Sequence, residues 1–299
     1  MLHAATTPAD KRTNLRRRLA RGEIIVLPGA FNPLSAMLIE RRGFEAVYLS
    51  GAVLAAELGL PDVGLTTLSE VAQRANQVAR VTNVPMIVDA DTGFGEAMNV
   101  ARAVQVLEDA GVAGLHIEDQ VNPKRCGHLD GKQVVETASA LQRIRAAVQS
   151  RRDANLLIIA RTDARATSSL DEAIDRAKSY VDAGADAIFP EALLDEGEFA
   201  AMRSALDVPL LANATEFGKG SLLSVQQLSA LGVNMVIFPV SLLRLAMGAA
   251  ERGLATLRKE GGFASSLDEM QTRADLYDLL DYSAYQTFDD GVFNFHLPS

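Results

Sequence analysis

Eight short apolar runs punctuate the chain, and polar stretches with helical spacing separate them. The runs are Ile24–Leu27, Ala46–Leu49, Met86–Val88, Gly114–Ile117, Leu156–Ala160, Ala185–Phe189, Leu210–Ala212 and Met235–Phe238. Short runs without polar alternation suit strands buried on both faces, as parallel strands under helices are. Leu68–Val81, Asn99–Ala110, Val134–Ser150, Leu170–Ala183 and Val225–Leu231 carry the one-sided apolar spacing of surface helices. Gly43, Gly111, Gly184 and Gly232 stand where a helix C-terminus calls for a left-handed residue. Strand and helix alternating eight times predict an α/β fold, a closed (β/α)8 barrel. No Gly-rich phosphate fingerprint follows the first run, which argues against an open dinucleotide-binding sheet.

The 299 residues fit one such domain, spanning 1–299. Beyond the eighth run the pattern changes. From Ser266, the positions Leu267, Met270, Ala274, Leu276, Tyr277 and Leu280 read as helix with no strand to follow, and an aromatic segment, Tyr282 to Phe295, comes after. This 266–299 arm is expected to pack outside the barrel or on a neighbouring subunit, because exposed apolar patches mark interfaces.

A hydrophobic share of 48% allows a sizeable core. The net charge of −9 disfavours non-specific binding to nucleic acid. Lys11, Arg12, Arg16, Arg17, Arg18 and Arg21 run against that charge and read as a solvated helix face. The first residues lack the apolar core of a signal peptide, and no run is long enough to span a bilayer. A soluble, cytoplasmic protein without a membrane or nucleic-acid partner is expected.

Chemistry collects where the runs end. Ser50 and Gly51 follow the second, Asp89 and Asp91 the third, and Glu118 the fourth. Arg161 and Asp163 follow the fifth, Glu191 the sixth, Asn213 and Thr215 the seventh, and Pro239 and Arg244 the eighth. A (β/α)8 barrel places its active site at that face. Asp89 and Asp91, two apart, would share a face and repel unless a cation such as Mg2+ or Mn2+ joins them; otherwise they are turn and cap residues. Glu118 and Glu191 could act as water-mediated ligands, as a base or, for Glu191, as a helix-start carboxylate. His116 reads as barrel packing or a hydrogen bond behind the ligands. Arg161, Arg244 and Arg273 are candidate carboxylate clamps or surface ion pairs, Arg161 being distinguished by its strand-end position. The single cysteine, Cys126, stands in Lys124-Arg125-Cys126-Gly127-His128. Cationic neighbours make a thiol proton mobile, whereas a structural cysteine would sit in apolar company.

That five-residue segment resembles the signature of the isocitrate lyase and phosphoenolpyruvate mutase superfamily. The likeness extends through Tyr48–Gly51, Gly59–Asp62, Asp89–Gly95, Ile117–Gln120, Ala160–Asp163, Phe189–Ala192 and Asn213–Gly218. Met270–Arg273 and Leu276-Tyr277 are similar to the 2-methylisocitrate lyases in particular, and the chain lacks room for the helical insertion of isocitrate lyases proper. The resemblance implies a barrel whose last helix swaps between subunits of a homotetramer. It implies Mg2+ on Asp89 and Asp91, with Glu118 in the outer shell. It also implies a tricarboxylate substrate contacted by Ser50, Gly51, Ala52, Cys126, Gly127, Arg161, Glu191, Asn213, Ala214, Thr215, Arg244 and Arg273. The implied reaction is retro-aldol cleavage of 2-methylisocitrate to pyruvate and succinate, in propionate catabolism by the methylcitrate cycle. Cys126 would be the proton donor, Arg161 would stabilise charge, and Lys124 and His128 would assist. Other readings on the same scaffold are a lyase for 2,3-dimethylmalate or isocitrate, a phosphonate mutase or oxaloacetate decarboxylase-like enzyme, and a non-enzymatic barrel kept as a structural or binding oligomer. Two departures bear on the pocket: Ala52 replaces the usual Gly, and the Ser50–Asp62 loop is one residue shorter. Phe189, Leu211 and Phe238 are candidates for an apolar niche around the substrate methyl.

Overall fold

The apolar runs form eight parallel strands in the computed structural model, which describes residues 4–125, 131–218 and 220–294. In chain order the elements are α1 (Pro8–Leu19), β1 (Ile25–Pro28), α2 (Pro33–Arg41), β2 (Val47–Leu49), α3 (Gly51–Glu57), α4 (Leu68–Ala79), β3 (Met86–Asp89), α5 (Ala97–Asp109), β4 (Gly114–Glu118), α6 (Thr137–Ser150) and β5 (Leu157–Thr162). Then come α7 (Ala164–Thr167), α8 (Leu170–Asp182), β6 (Ala187–Pro190), α9 (Glu196–Ala205), β7 (Leu211–Asn213), α10 (Val225–Ala230), β8 (Met235–Phe238), α11 (Ser241–Glu260), a 3-10 turn (Ala264–Glu269), α12 (Arg273–Leu279) and α13 (Tyr282–Phe293).

Strands β2 to β6 pair in sequence, and β7, β8 and β1 pair in a second ladder. Single parallel bridges, Gly29 to Tyr48 and Ile188 to Leu210, join the two ladders. The eight strands therefore close into a ring, as the alternation predicts.

Closure splits each run between two apolar layers. Leu27, Tyr48, Ile87, Leu157, Ile159, Phe189, Leu211 and Ile237 fill the interior, while Val47, Leu49, Val88, Leu115 and Val236 face the helices. Full burial of one such side chain contributes about 1.5–3 kcal/mol. The helices are held in register by caps: Thr67 and Glu70 form a reciprocal capping box on α4, and Ser169 and Asp195 cap α8 and α9.

The basic segment is not a solvated face throughout. Lys11 and Arg12 are buried beneath the barrel. Lys11 Nζ donates to Ala79 O (2.7 Å), and Arg12 donates to Val112 O (2.9 Å) and Glu108 O (2.6 Å). Helix C-termini leave carbonyls without partners, and α4 and α5 both end here. Cationic side chains on α1 satisfy them, while Leu15, fully buried, plugs the interior from below.

Several strands also run further than their apolar residues do. β3 ends at Asp89, β4 at Glu118, β5 beyond Arg161 and β7 at Asn213. The ladder continues through these polar residues because backbone groups, not side chains, make its bonds. The polar groups therefore sit on rigid strand ends rather than on the following loops.

Helix α11 has no buried residue along its length, and Leu245, Met247 and Leu254 are each more than 60% exposed. Among the described residues no helix is long and apolar enough to cross a membrane.

Candidate active site

Two buried carboxylates meet at the end of β3. They do not converge by strand alternation, as their spacing suggested. The chain turns at Asp91, whose φ is 45°, and Gly93 N donates to Ala90 O (2.8 Å) to close the turn. Asp91 N donates to Asp89 Oδ1 (3.0 Å). Gly51 N donates to Asp89 Oδ2 (3.3 Å). A Cβ on Gly51 would lie 3.1 Å from Asp89 Oδ2 and 3.3 Å from Asp91 Oδ1, so both carboxylates press against this glycine. Ser50 caps α3 directly above them.

Lys124 is buried between acids. It donates to Asp62, and its Nζ stands 2.8 Å from Asp91 Oδ1. The two aspartates titrate apart. Burial tends to raise Asp89, but His116, Lys124, Arg161 and the Asp91 N–H together draw it down to about 2. Burial and the charge of Asp89 push Asp91 up to about 6, against the pull of Lys124.

The donor set fits a hard divalent cation. It consists of two carboxylates on one wall, with the Oε1 of Glu118 buried and without a hydrogen bond among the described residues. No larger group of His, Cys, Asp and Glu suited to a metal occurs among the described residues. Mg2+ commonly takes one or two carboxylates and fills its remaining positions with water and substrate oxygens.

Arg161 occupies the centre of the barrel mouth. Its Nη1 lies 3.3 Å from Glu118 Oε2 and its Nη2 3.5 Å from Glu191 Oε2. Nε and Nη2 both donate to Asp163, at 3.0 and 3.3 Å. The guanidinium also lies over the Phe189 ring, 5.0 Å from its centroid. Burial pushes Glu118 well above the usual carboxylate range despite Arg161. Below this layer His116 packs, as its place inside the fourth run suggested. Its Nε2 shares a 2.7 Å hydrogen bond with the Tyr48 hydroxyl, and its Nδ1 is 3.7 Å from Asp89 Oδ1. Burial lowers the imidazole to about 4, so it is neutral at pH 7.

The far wall is polar and more open. Asn213 Nδ2 approaches both oxygens of Glu191 at 3.4 Å. Arg244 Nη1 donates to Thr215 Oγ1 (3.3 Å), Glu216 O (2.8 Å) and Glu216 Oε2 (3.0 Å). These groups enclose a cavity of about 240 Å³, lined also by Ser50, Ala52, Asp62, Arg125, Ile237, Pro239 and Val240. A larger groove of about 710 Å³ is lined by Asp91, but its other walls are mainly neutral residues and the exposed Arg102. The smaller cavity holds the convergent charges and is the better candidate for chemistry.

Sequence and structure part at several positions. Ala214 is buried in the outer core rather than lining this cavity. Arg273 opens the exposed helix α12, outside the cavity walls of its own chain. Of the three niche candidates Phe189 lines the cavity, Leu211 lies in the barrel interior and Phe238 packs towards the helices; Ile237 takes the place given to Phe238. Cys126, Gly127 and His128 lie outside the described residues. Tyr48 and Glu216 escaped sequence reasoning. Tyr48 could have been found, since it precedes Ser50 by two residues in a strand and so shares its face.

The phosphoenolpyruvate phosphomutase family model matches residues 15–258. The probable 2-methylisocitrate lyase 2 of Corynebacterium glutamicum is 56% identical over 100% of this chain and 97% of its own length. The 2-methylisocitrate lyase of Aeropyrum pernix is 49% identical over 93% of this chain and 90% of its own. Among solved structures, oxaloacetate acetylhydrolase bound to 3,3-difluorooxalacetate superposes with TM-score 0.91 at 35% identity, covering 97% of this chain and 100% of that one. A 2,3-dimethylmalate lyase gives TM-score 0.89 at 35% identity, with 98% and 99% covered. Phosphonopyruvate hydrolase with oxalate and Mg2+ gives TM-score 0.86 at 29% identity, with 94% and 98% covered.

Proposed function

We propose that this chain, which belongs to the phosphoenolpyruvate phosphomutase family, is a carbon–carbon lyase that cleaves 2-methylisocitrate to pyruvate and succinate. The observation that carries the substrate is the gap in likeness. The relatives named as a probable 2-methylisocitrate lyase and as a 2-methylisocitrate lyase are 56% and 49% identical over 100% and 93% of this chain, whereas the 2,3-dimethylmalate lyase and the oxaloacetate acetylhydrolase are each 35% identical.

Asp89 and Asp91 would hold Mg2+, or Mn2+ in its place, with Glu118 behind them. When bound, the cation supplies Lewis acidity towards the substrate's hydroxyl and adjacent carboxylate. The chain's own residues then divide the remaining work. Arg244, Thr215 and Asn213 bind a carboxylate at the open wall, Arg by its planar fork. Ser50, Gly51 and Ala52 bound the substrate on the metal side. A carboxylate of the cavity wall takes the hydroxyl proton as base, the carbon–oxygen bond becomes a carbonyl, and the adjacent carbon–carbon bond breaks. The electron pair moves onto the carbon beside a carboxylate, which becomes succinate. Arg161, fixed on three sides by carboxylates, presents preorganised charge to the anion that develops. Cys126 Sγ delivers its proton to the carbanion carbon, with Gly127 beside it at the substrate. A thiol of ordinary pKa is about 8.5, so at neutral pH it still carries the proton it must give. Lys124, Arg125 and His128 favour the thiolate left behind.

The active form is a homotetramer working in the cytoplasm. The exposed apolar faces of α11 and α13 are the support for assembly: Leu254 is 66% exposed and Phe293 81%. Exchange of the C-terminal helices would carry Arg273 to a neighbouring subunit's cavity.

Incubation of the purified protein with 2-methylisocitrate and Mg2+ tests the reaction. Pyruvate and succinate should appear in equal amounts by NMR. Consumption without equimolar products would contradict it.

A further inference from the structure

Lys132 is a buried cation that the reaction scheme above does not use. Its side chain is 2% exposed, and its Nζ meets Asp163 Oδ1 at 2.6 Å. Asp163 is fully buried and holds Arg161 edge-on, through Nε on one oxygen and Nη2 on the other. Lys132 and Arg161 Nη2 therefore share the same carboxylate oxygen.

We propose that Lys132 is a positioning residue for Arg161, acting through the carboxylate of Asp163; this rests on the lyase reading. Arg161 faces three carboxylates, those of Asp163, Glu118 and Glu191. Each pulls the guanidinium in a different direction. Its orientation is set by which carboxylate is itself held still. Asp163 is held from two sides. Its backbone N–H donates to Asp119 Oδ1 (2.9 Å), and Asp119 also accepts from Thr162 Oγ1 (2.7 Å) and the Tyr180 hydroxyl (2.8 Å). Lys132 clamps the side chain. The clamp is itself anchored, because residues 133–135 return to the end of β4. Val121 N donates to Gln133 O (2.9 Å), Val135 N donates to Asp119 O (2.8 Å), and Gln120 bridges Val134. With the Asp163 carboxylate fixed, the Nη1 edge of Arg161 is left facing Glu118 and the cavity. Without Lys132 the carboxylate loses its second cation and is free to rotate, and Arg161 follows it or turns to Glu191.

The test uses Lys132→Met and Lys132→Arg in the full-length protein with saturating Mg2+. In K132M, kcat for 2-methylisocitrate should fall on the order of 10²-fold, as an ångström of misplacement brings. KM should move within about threefold, since the loss concerns the transition state. K132R should recover most of the lost kcat. Should K132M fail to fold, K132Q carries the same expectation. A kcat within about twofold of native in the folded K132M or K132Q protein would overturn the proposal. Equal losses in K132R and K132M would overturn it as well, because lost packing alone would then account for both. A crystal structure of K132M gives a readout independent of substrate. Arg161 turned from its edge-on contact with Asp163 supports the role, and an unmoved Arg161 contradicts it. Inactivity of the native protein towards 2-methylisocitrate would instead count against the lyase reading, with the crystallographic arm still deciding this one.

Discussion

Glu118 and Arg161 are register partners on β4 and β5, and their side chains meet at the barrel mouth 3.3 Å apart. The ladder itself thus delivers a buried acid and a buried cation to one point. Burial raises the acid well above the usual carboxylate range against the pull of Arg161, and the surrounding carboxylates raise Arg161 against its own burial.

Arg161→Gln should therefore lower kcat by about 10²- to 10³-fold, the loss seen when a preorganised donor to a developing anion is removed. It should also destabilise the fold, because Asp163 and Glu191 lose their shared cation. Steady-state kinetics paired with thermal melting separate the two effects. A stable variant with native kcat would remove Arg161 from the chemistry.

Asp89→Asn and Asp91→Asn should each weaken Mg2+ binding, read by calorimetry on the substrate-free protein. Chelation should abolish turnover, and Mg2+ or Mn2+ should restore it. Full turnover in excess chelator would contradict the metal assignment.

Asp163→Asn should cost about 3–5 kcal/mol at pH 7, the typical penalty for breaking a buried ion pair. Burial raises the Asp163 pKa, but Arg161 and Lys132 overcome this and hold it below the usual carboxylate value. A depressed folded pKa stabilises above the unfolded value, about 3.9, and that stability is lost as pH falls through the folded pKa. Urea unfolding should accordingly show the gap between native and variant proteins narrowing below about pH 4. A gap that widens on acidification would contradict the pairing.

Arg12→Met should destabilise the protein by about 1–3 kcal/mol, because the Val112 carbonyl is left dry beneath the barrel. Urea midpoints give the value, and kcat per folded molecule should not change. A loss near zero would restore the solvated-face reading of the basic segment.

How much of this was legible in the sequence depends on which part of a residue decides its place. The strands were legible because both layers of a barrel are apolar, so the runs at Met86 and Met235 stand out whatever the register. Where the strands end was less so: Asp89 and Glu118 continue the ladder through their backbones while their side chains look like loop residues. Asp89 and Asp91 were recognisable as a pair, but the turn that brings them together depends on the positive φ of Asp91, which the sequence does not announce. The role of α1 was hidden for a similar reason. Lys11 and Arg12 bond to backbone carbonyls, and a carbonyl has no letter in a sequence. Ala214 falls outside the cavity wall because at the end of a strand one residue of register turns a side chain from the cavity to the outer core.

The central claim is the reaction, and one comparison tests it most directly. Purified protein with Mg2+ is offered 2-methylisocitrate, isocitrate and 2,3-dimethylmalate, and kcat/KM is measured for each. Phe189 and Ile237 provide apolar wall in the cavity, and a methyl-sized difference discriminates by roughly 10- to 200-fold. Within that range, 2-methylisocitrate should be preferred over isocitrate, and 2,3-dimethylmalate should also be the poorer substrate. A higher kcat/KM for isocitrate or 2,3-dimethylmalate would contradict the account.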